Sequence, residues 1–204
     1  VLAVASGVAL VRPVVVDDDG GDGGVAAVAA HRLHRERGSV CGFAPRVVVA
    51  GDADDPLKTH RREITVVFVD LRGFTAFTET AEPEEVMGVL GEYHACLGAL
   101  IHKHEGTLDK FAGDGLMVLF NDPVKCDQPA LRATQMAVEM RDAIAQLAVK
   151  WRKYGHQLGF GLGIAHGYAT IGQIGFEGRW DYSAIGSVVN LAARLCGEAQ
   201  AGQI

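Results

Sequence analysis

The sequence predicts an α+β fold in which helices pack against a mainly antiparallel β-sheet. Its periodic segments follow the order strand, helices, hairpin, helix, strands and helix, and a glycine-containing turn at residues 112–115 joins two of the strands. Hydrophobic residues make up 49% and charged residues 22% of the 204 residues, which are the proportions of a globular protein. The chain is long enough for one such domain with a flanking segment, or for two small domains.

The regular pattern begins near residue 60, and residues 1–59 are interpreted as a linker or a poorly ordered N-terminal flank. This part contains an Asp/Gly cluster, an Ala/Val stretch and a short basic run, without a sustained helical or strand period. Residues 60–204 form the predicted domain.

Composition limits the setting and the partners of the protein. The longest apolar run, residues 1–16, is interrupted by Arg12 and Pro13 and falls short of the roughly 20 apolar residues that a spanning helix needs. The four cysteines form no CxxC pair, which favours a cytoplasmic setting without a disulfide framework or a zinc site. The chain does not begin with Met, so a membrane or sensor domain outside it is compatible with this expectation. The net charge of −6 disfavours a nucleic-acid-binding surface.

The first predicted elements are a strand, a short helix and a long helix. Residues 64–70 form a nearly continuous β-branched and aromatic run, which is typical of a strand buried on both faces. A turn at residues 71–75 then opens a short helix, and Pro83 begins a long helix that Gly106 ends. The predicted inner face of the long helix consists of apolar residues at helical spacing: Val86, Leu90, Tyr93, Leu97 and Ile101.

A hairpin and a second long helix follow. Residues 107–111 and 116–120 are the hairpin strands, and Asp127 with Pro129 opens the helix. Its predicted inner face is Leu131, Val138, Ile144, Leu147 and Trp151.

The remaining elements complete the prediction of a ferredoxin-like domain. Residues 158–174 predict two strands around Gly167, residues 180–185 another strand, and residues 188–199 a last helix. This order indicates a mainly antiparallel sheet with its helices packed on one side.

Two acidic residues stand at the ends of predicted strands. Asp70 ends the buried strand, and Asp114 lies in the tight turn of the hairpin. A carboxylate at the end of an apolar run needs a positive partner, and two of them at neighbouring strand tips can jointly hold Mg²⁺ or Mn²⁺. Taken singly, Asp70 is equally well a helix cap and Asp114 a turn residue.

A candidate phosphate-binding loop lies directly after the first acidic residue. Gly73 allows close approach of the backbone to a ligand, and the amides at Phe74 and Thr75 open the short helix. The N-terminus of a helix accepts phosphate oxygens readily. A metal pair beside such a loop favours the metal-site interpretation of the two carboxylates and implies a triphosphate substrate.

Three ordered motifs resemble the catalytic domains of class III adenylyl and guanylyl cyclases. They are FVDLRGFT at residues 68–75, KFAGDG at residues 110–115 and YSAIGSVVNLAARL at residues 182–195, and GIAHG at residues 163–167 also matches the family. Each motif alone is modest, but the ordered set is specific. The resemblance covers about residues 61–204 and implies the class III nucleotide cyclase fold.

The resemblance assigns roles to the acidic residues and to two further side chains. Asp70 and Asp114, with the backbone carbonyl of Leu71, are expected to hold two divalent metal ions, and Lys110 and Ser183 are expected to read the base. A lysine can only donate, which suits the N1 acceptor of adenine, and a serine hydroxyl can accept from the exocyclic amine. Guanylyl cyclases usually carry an acidic residue and a cysteine at these positions. The resemblance therefore implies an adenylyl cyclase of the subclass with Thr or Ser at the second position.

Two residues on the last helix match the family's catalytic positions. Asn190 and Arg194 are four residues apart and share one helix face. In the family, the matching Asn orients the ribose and the matching Arg contacts the phosphates in the transition state. An ordinary surface salt bridge is the alternative for Arg194, but an Arg buried beside apolar neighbours would need an anion.

The resemblance also implies a homodimer. In the family, the metal-binding pair comes from one subunit and the base-reading and transition-state residues from the other, and this chain contains both sets. Residues 176–179 are a candidate dimer arm, and an exposed loop is the alternative for them.

Several alternatives remain beside an adenylyl cyclase acting on ATP. A diguanylate cyclase is disfavoured because the turn at residues 112–115 lacks that family's second acid and its Phe. A guanylyl cyclase and a catalytically silent cyclase-like module for dimerisation or sensing remain open. The family continues beyond Ile204 with closing strands and a phosphate-contacting lysine, so the C-terminal end of the domain is expected to be missing.

Overall fold

The structure is a computed structural model that describes residues 58–176 and 179–204. The predicted flank lies outside the described residues apart from its last two positions, and so does the centre of the predicted dimer arm, Glu177 and Gly178. The elements in chain order are β1 (His60–Arg72), α1 (Phe74–Thr80), α2 (Pro83–Lys103), β2 (Thr107–Ala112), β3 (Gly115–Phe120), α3 (Pro129–Lys153), β4 (Gly159–Phe176), β5 (Arg179–Ile185) and α4 (Ser187–Glu198).

The described strands form one antiparallel five-stranded sheet in the order β2-β3-β1-β4-β5. This confirms the predicted α+β class. The prediction of two strands around Gly167 is wrong, because β4 is one continuous strand of 18 residues. Gly167 pairs with Ile64 of β1 inside the ladder, and Val188 of α4 packs over it. A glycine in a strand marks a close approach here and not a turn.

The helices cover both faces of the sheet, which differs from the prediction that they pack on one side. On one face, Val67 and Val69 of β1 belong to a core with residues of α2 and α3. On the other face, Ile64 and Val66 belong to a second cluster that includes Val188 of α4. Because β1 is apolar on both faces, each face needs its own cover.

The inner faces of the two long helices follow the prediction in part. In α2, Tyr93, Leu97 and Ile101 are buried as predicted, and the other two predicted positions are half-buried. In α3, Leu131 and Val138 are exposed, so the predicted face is wrong at these positions. Ile144 and Trp151 are buried as predicted, and the rest of the buried stripe consists of alanine and methionine. The buried residues of α3 are Ala133, Met136, Ala137, Met140, Ile144, Ala148 and Trp151.

Close contact between α4 and β4 depends on Gly163. A Cβ at this position would lie 2.3 Å from the carbonyl oxygen of Ala192 and from the amide nitrogen of Cys196. We therefore expect Gly163→Ala to displace α4 and to lower the free energy of unfolding by about 2 kcal/mol, as in overpacked cores. Urea unfolding followed by circular dichroism measures this change.

The matched control is Gly88→Ala on α2, where a Cβ would meet nothing within 4 Å. Alanine in an exposed helix interior is favourable by up to about 1 kcal/mol relative to glycine. An equal change in the free energy of unfolding of the two variants would contradict the close contact.

Among the described helices, none combines the length and the apolar character that a membrane span requires.

Candidate active site

The structure brings the two predicted metal-binding carboxylates together. Asp70 lies near the end of β1, and Asp114 lies in the turn between β2 and β3. The amide of Leu71 donates a hydrogen bond to Asp114 Oδ2 at 3.2 Å. Burial and then the neighbouring charge of Asp70 raise the pKa of Asp114. The pair thus concentrates negative charge at one tip of the sheet, where a cation would be favoured.

Arg72 is a counter-ion of this pair that the sequence analysis missed. Its Nη1 lies 2.5 Å from Asp70 Oδ2, its Nε donates to the carbonyl of Ala199 at 3.0 Å, and its Nη2 donates to the carbonyl of Cys196. Arg72 therefore links Asp70 to the C-terminal end of α4, where unpaired carbonyls favour a cation. The spacing of Asp70 and Arg72 in the sequence indicates this pairing, since residues two apart in a strand lie on one face.

The chemistry of the pair fits a divalent metal ion that also contacts a substrate. Within residues 58–176 and 179–204, no group of three or more His, Cys, Asp or Glu side chains is placed to hold a metal ion. A site for Mg²⁺ needs fewer protein ligands, because this ion is usually held by one or two carboxylates plus phosphate oxygens. Asp70 and Asp114 supply such hard oxygen donors.

Gly73 of the candidate phosphate loop is required by the local backbone. It has φ 83° and ψ 1°, a left-handed conformation that favours glycine, and a Cβ there would lie 2.7 Å from the carbonyl oxygen of Gln157. The helix α1 begins at the next residue, Phe74, which is half-buried against the core, and the Thr75 side chain is exposed. Folding alone therefore explains the glycine, whether or not the loop binds phosphate.

The two predicted base-reading residues are in direct contact. Lys110 of β2 and Ser183 of β5 come from opposite edges of the sheet, yet Lys110 Nζ donates to Ser183 Oγ at 3.1 Å. The sheet must curl strongly for its two edges to meet. The Ser183 hydroxyl in turn donates to Oδ2 of the buried Asp109 at 3.0 Å. Asp109 is a residue of this site that the sequence analysis missed.

Asn190 and Arg194 lie on the outer face of α4, together with the exposed side chains of Leu191 and Leu195. We refer to these four residues as the outer α4 face. Arg194 is exposed in the single chain, because helix α4 turns this face to solvent. Arg194 makes no hydrogen bond or ion pair with any residue that the structure describes.

Further exposed apolar side chains lie on β4 and β5. They are Ile174, Phe176 and Ile185, with 41%, 69% and 61% of their surface exposed. Ile174 and Phe176 lie near the C-terminal end of β4, whereas Ile185 pairs with Thr170 at the opposite end of the ladder. Neighbouring exposed apolar side chains such as Ile174 and Phe176 are typical of surfaces that contact another protein. The predicted dimer arm begins at Phe176 and stays a prediction.

A model of the family described as "Adenylate and Guanylate cyclase catalytic domain" matches residues 57–204. The chain therefore belongs to this family of cyclase catalytic domains, and the class III resemblance is confirmed. The chain is 35% identical over 138 residues to an adenylate cyclase of Anabaena cylindrica and 33% identical over 138 residues to adenylate cyclase 1 of Rhizobium meliloti. Each alignment covers 67% of this chain but only 27% and 21% of the relative, so the chain spans about a quarter of these relatives.

Solved structures include cyclases for both bases. The adenylyl cyclase CyaB from P. aeruginosa is 39% identical, with a TM-score of 0.69 over 72% of this chain and 76% of that chain. The guanylyl cyclase Cya2 is also 39% identical, with a TM-score of 0.66 over 70% and 73%. Because an adenylyl and a guanylyl cyclase are equally similar in sequence, the identity of the base depends on the side chains of the site.

Proposed function

We propose that the chain is the catalytic domain of an adenylyl cyclase that converts ATP to 3′,5′-cyclic AMP and pyrophosphate. The observation that carries this choice of base is the contact between Lys110 and Ser183. The ammonium of Lys110 can only donate, which suits N1 of adenine and opposes the N1–H of guanine. The Ser183 oxygen is free to accept from the exocyclic amine of adenine.

The carboxylate pair and the loop are assigned to the triphosphate. Asp70 and Asp114, with the Leu71 carbonyl, would hold two Mg²⁺ or Mn²⁺ ions, which neutralise phosphate charge and activate the ribose 3′-hydroxyl when bound. The backbone at Gly73, Phe74 and Thr75 would bind phosphate oxygens at the start of α1.

The outer α4 face is assigned to the transition state. The ribose 3′-oxygen attacks the α-phosphorus and loses its proton to water, as the bond to the pyrophosphate leaving group breaks. Asn190 would orient the ribose during this step. Arg194 would stabilise the charge that develops on the phosphate, and such preorganised donors contribute about 3 kcal/mol. No side chain is assigned as a general base.

We further propose that the site is shared between two copies of the chain. The residues that the structure describes include no hydrogen bond or ion pair between the outer α4 face and the carboxylate pair. In a symmetric dimer, the carboxylates of one subunit would face Lys110, Ser183 and Arg194 of the other. The exposed Leu191 and Leu195 support this arrangement, because they would be buried with Arg194.

A guanylyl cyclase is the second candidate, favoured by the similarity to Cya2. Turnover of ATP and GTP by the full-length protein with Mn²⁺ separates the two. We expect kcat/KM for ATP to exceed that for GTP by about 100-fold, since a site that hydrogen-bonds one base leaves its polar groups unpaired against the other. Lys110→Ala should remove most of this preference.

The matched control for Lys110→Ala is Lys103→Ala. Lys103 is an exposed lysine of α2 that pairs with Glu139 away from the site, so its removal should leave both turnover rates unchanged. Faster turnover of GTP by the unaltered protein would overturn the assignment to ATP. Turnover of neither nucleotide would instead favour a catalytically silent module.

A further inference from the structure

A buried carboxylate lies beside the Lys110–Ser183 pair. The Asp109 side chain is 1% exposed, and its Oδ2 accepts the Ser183 hydroxyl at 3.0 Å and lies 3.2 Å from Lys110 Nζ. Its other oxygen, Oδ1, is buried and has no hydrogen-bond partner among the described residues. Buried carboxylates are costly unless they are paired, so a carboxylate in this position indicates a role at the site.

A bulge in β2 brings Asp109 to this position. Leu108 pairs with Val118 and Lys110 pairs with Met117, which leaves Asp109 as the extra residue of the strand. In a regular strand, consecutive side chains point to opposite faces, but at this bulge Asp109 and Lys110 both reach Ser183. The bulge therefore brings a carboxylate and an ammonium group into contact with the same hydroxyl.

The contacts fix the direction of hydrogen bonding at Ser183. A serine hydroxyl has one proton and two lone pairs. The proton is donated to Asp109, and one lone pair accepts from Lys110, so the oxygen can only accept from a further partner. Burial raises the pKa of Asp109, and the nearby ammonium of Lys110 opposes this rise.

We infer that Asp109 is a positioning residue that holds Ser183 as a hydrogen-bond acceptor and so makes the site select adenine over guanine. This inference rests on the proposed function. The exocyclic amine of adenine donates a hydrogen bond. Guanine presents a carbonyl oxygen at the same place, which would face the Ser183 oxygen with no proton between the two acceptors. A hydroxyl with a free proton can accept from the amine of adenine or donate to the carbonyl of guanine. Because the proton is held by Asp109, only the hydrogen bond to adenine is available.

The test is Asp109→Asn, which keeps the shape of the side chain. Its amide can donate to Ser183 Oγ, so the hydroxyl proton becomes free to face guanine. In the full-length protein, we expect the ratio of kcat/KM for ATP to that for GTP to fall about tenfold, with GTP turnover rising. A role in folding alone would lower both turnover rates together and leave the ratio unchanged, which would overturn the inference.

A double-mutant cycle with Ser183→Ala isolates the coupling. Ser183→Ala should lower the same ratio by itself, and Asp109→Asn should have no further effect in that background. An equal fall of the ratio in both backgrounds would show that Asp109 does not act through Ser183. Should Asp109→Asn be recovered unfolded, Ser183→Thr replaces it. Thr keeps the hydroxyl, so the ratio of kcat/KM for ATP to that for GTP should stay unchanged. An equal fall of this ratio in Ser183→Thr and Ser183→Ala would contradict the inference.

Binding of nucleotides that cannot cyclise tests the inference separately from turnover. The same variants are titrated with 3′-deoxy-ATP and 3′-deoxy-GTP, and Asp109→Asn should lower the ratio of their affinities about tenfold. An unaltered protein that prefers the guanine nucleotide in both assays would overturn the proposed function and this inference together. A preference for adenine that survives Asp109→Asn would overturn the inference alone.

Discussion

Equimolar mixing of Asp70→Asn and Arg194→Ala chains should restore about a quarter of the unaltered cyclase activity, although each variant alone should lose about 100-fold or more. Random pairing makes about half of the dimers mixed, and each mixed dimer contains one intact site out of two. Cyclic AMP production before and after the chains are mixed measures the recovery.

The structure explains why these two substitutions should complement each other. Asp70 belongs to the carboxylate pair, whereas Arg194 belongs to the outer α4 face, and no described hydrogen bond or ion pair joins the two groups within one chain. Asp70→Asn keeps an oxygen that can accept from Arg72, so the link to the end of α4 is preserved. The loss of activity should therefore come from the proposed metal site and not from unfolding.

The matched control mixes two chains that are defective in the same group. Asp70→Asn and Asp114→Asn both remove a carboxylate from the same pair, so every dimer formed between them has two defective sites. We expect no recovery from this mixture. Recovery here, or none with Arg194→Ala, would show that the site is not divided between subunits as proposed.

Local features of the sequence predicted the order of the elements and both ends of the hairpin. The apolar run of β1 and the turn between β2 and β3 are each indicated by a few consecutive residues. The prediction failed where the structure depends on contacts between segments that are distant in the sequence. Gly167 was interpreted as a break because a single sequence does not show that Val188 will pack over it.

The site was predicted unevenly for the same reason. Lys110 and Ser183 were found through the resemblance, and the structure places them in contact. Asp109 was missed because its contact with Ser183 depends on a bulge that has no clear sequence signal and on the curl of the sheet. Arg72 was missed although its spacing from Asp70 was visible, because its second contact lies 124 residues further along the chain.

Asp122→Ala should lower the free energy of unfolding by about 3 kcal/mol, the largest effect on stability that we expect from a single substitution. Asp122 is fully buried after β3, and its Oδ2 lies 2.6 Å from Arg62 Nη1 and 2.8 Å from His60 Nε2. Its Oδ1 accepts the hydroxyl of Tyr182. Removal of the carboxylate leaves these half-buried groups without their buried partner.

This cluster connects three strands of the curled sheet. Arg62 comes from β1, Asp122 follows β3, and Tyr182 lies on β5 directly before Ser183. Burial and then the bond to Asp122 raise the pKa of Tyr182, so its hydroxyl keeps the proton that it donates. We therefore expect Asp122→Ala to loosen the edge that carries Ser183 as well as to destabilise the fold.

Thermal unfolding and amide hydrogen exchange separate the two effects. The melting temperature should fall by about 10 °C, and amides of β5 should lose more protection than those of α2 and α3. Glu139→Ala is the matched control, because it removes a carboxylate from an exposed pair with Lys103 and should cost at most about 0.5 kcal/mol. Equal losses of stability in the two variants would contradict a buried structural role for Asp122.

The exchange data test the second effect. An equal loss of amide protection in all elements would show that the cluster stabilises the whole domain and does not specifically hold β5 against the rest of the sheet.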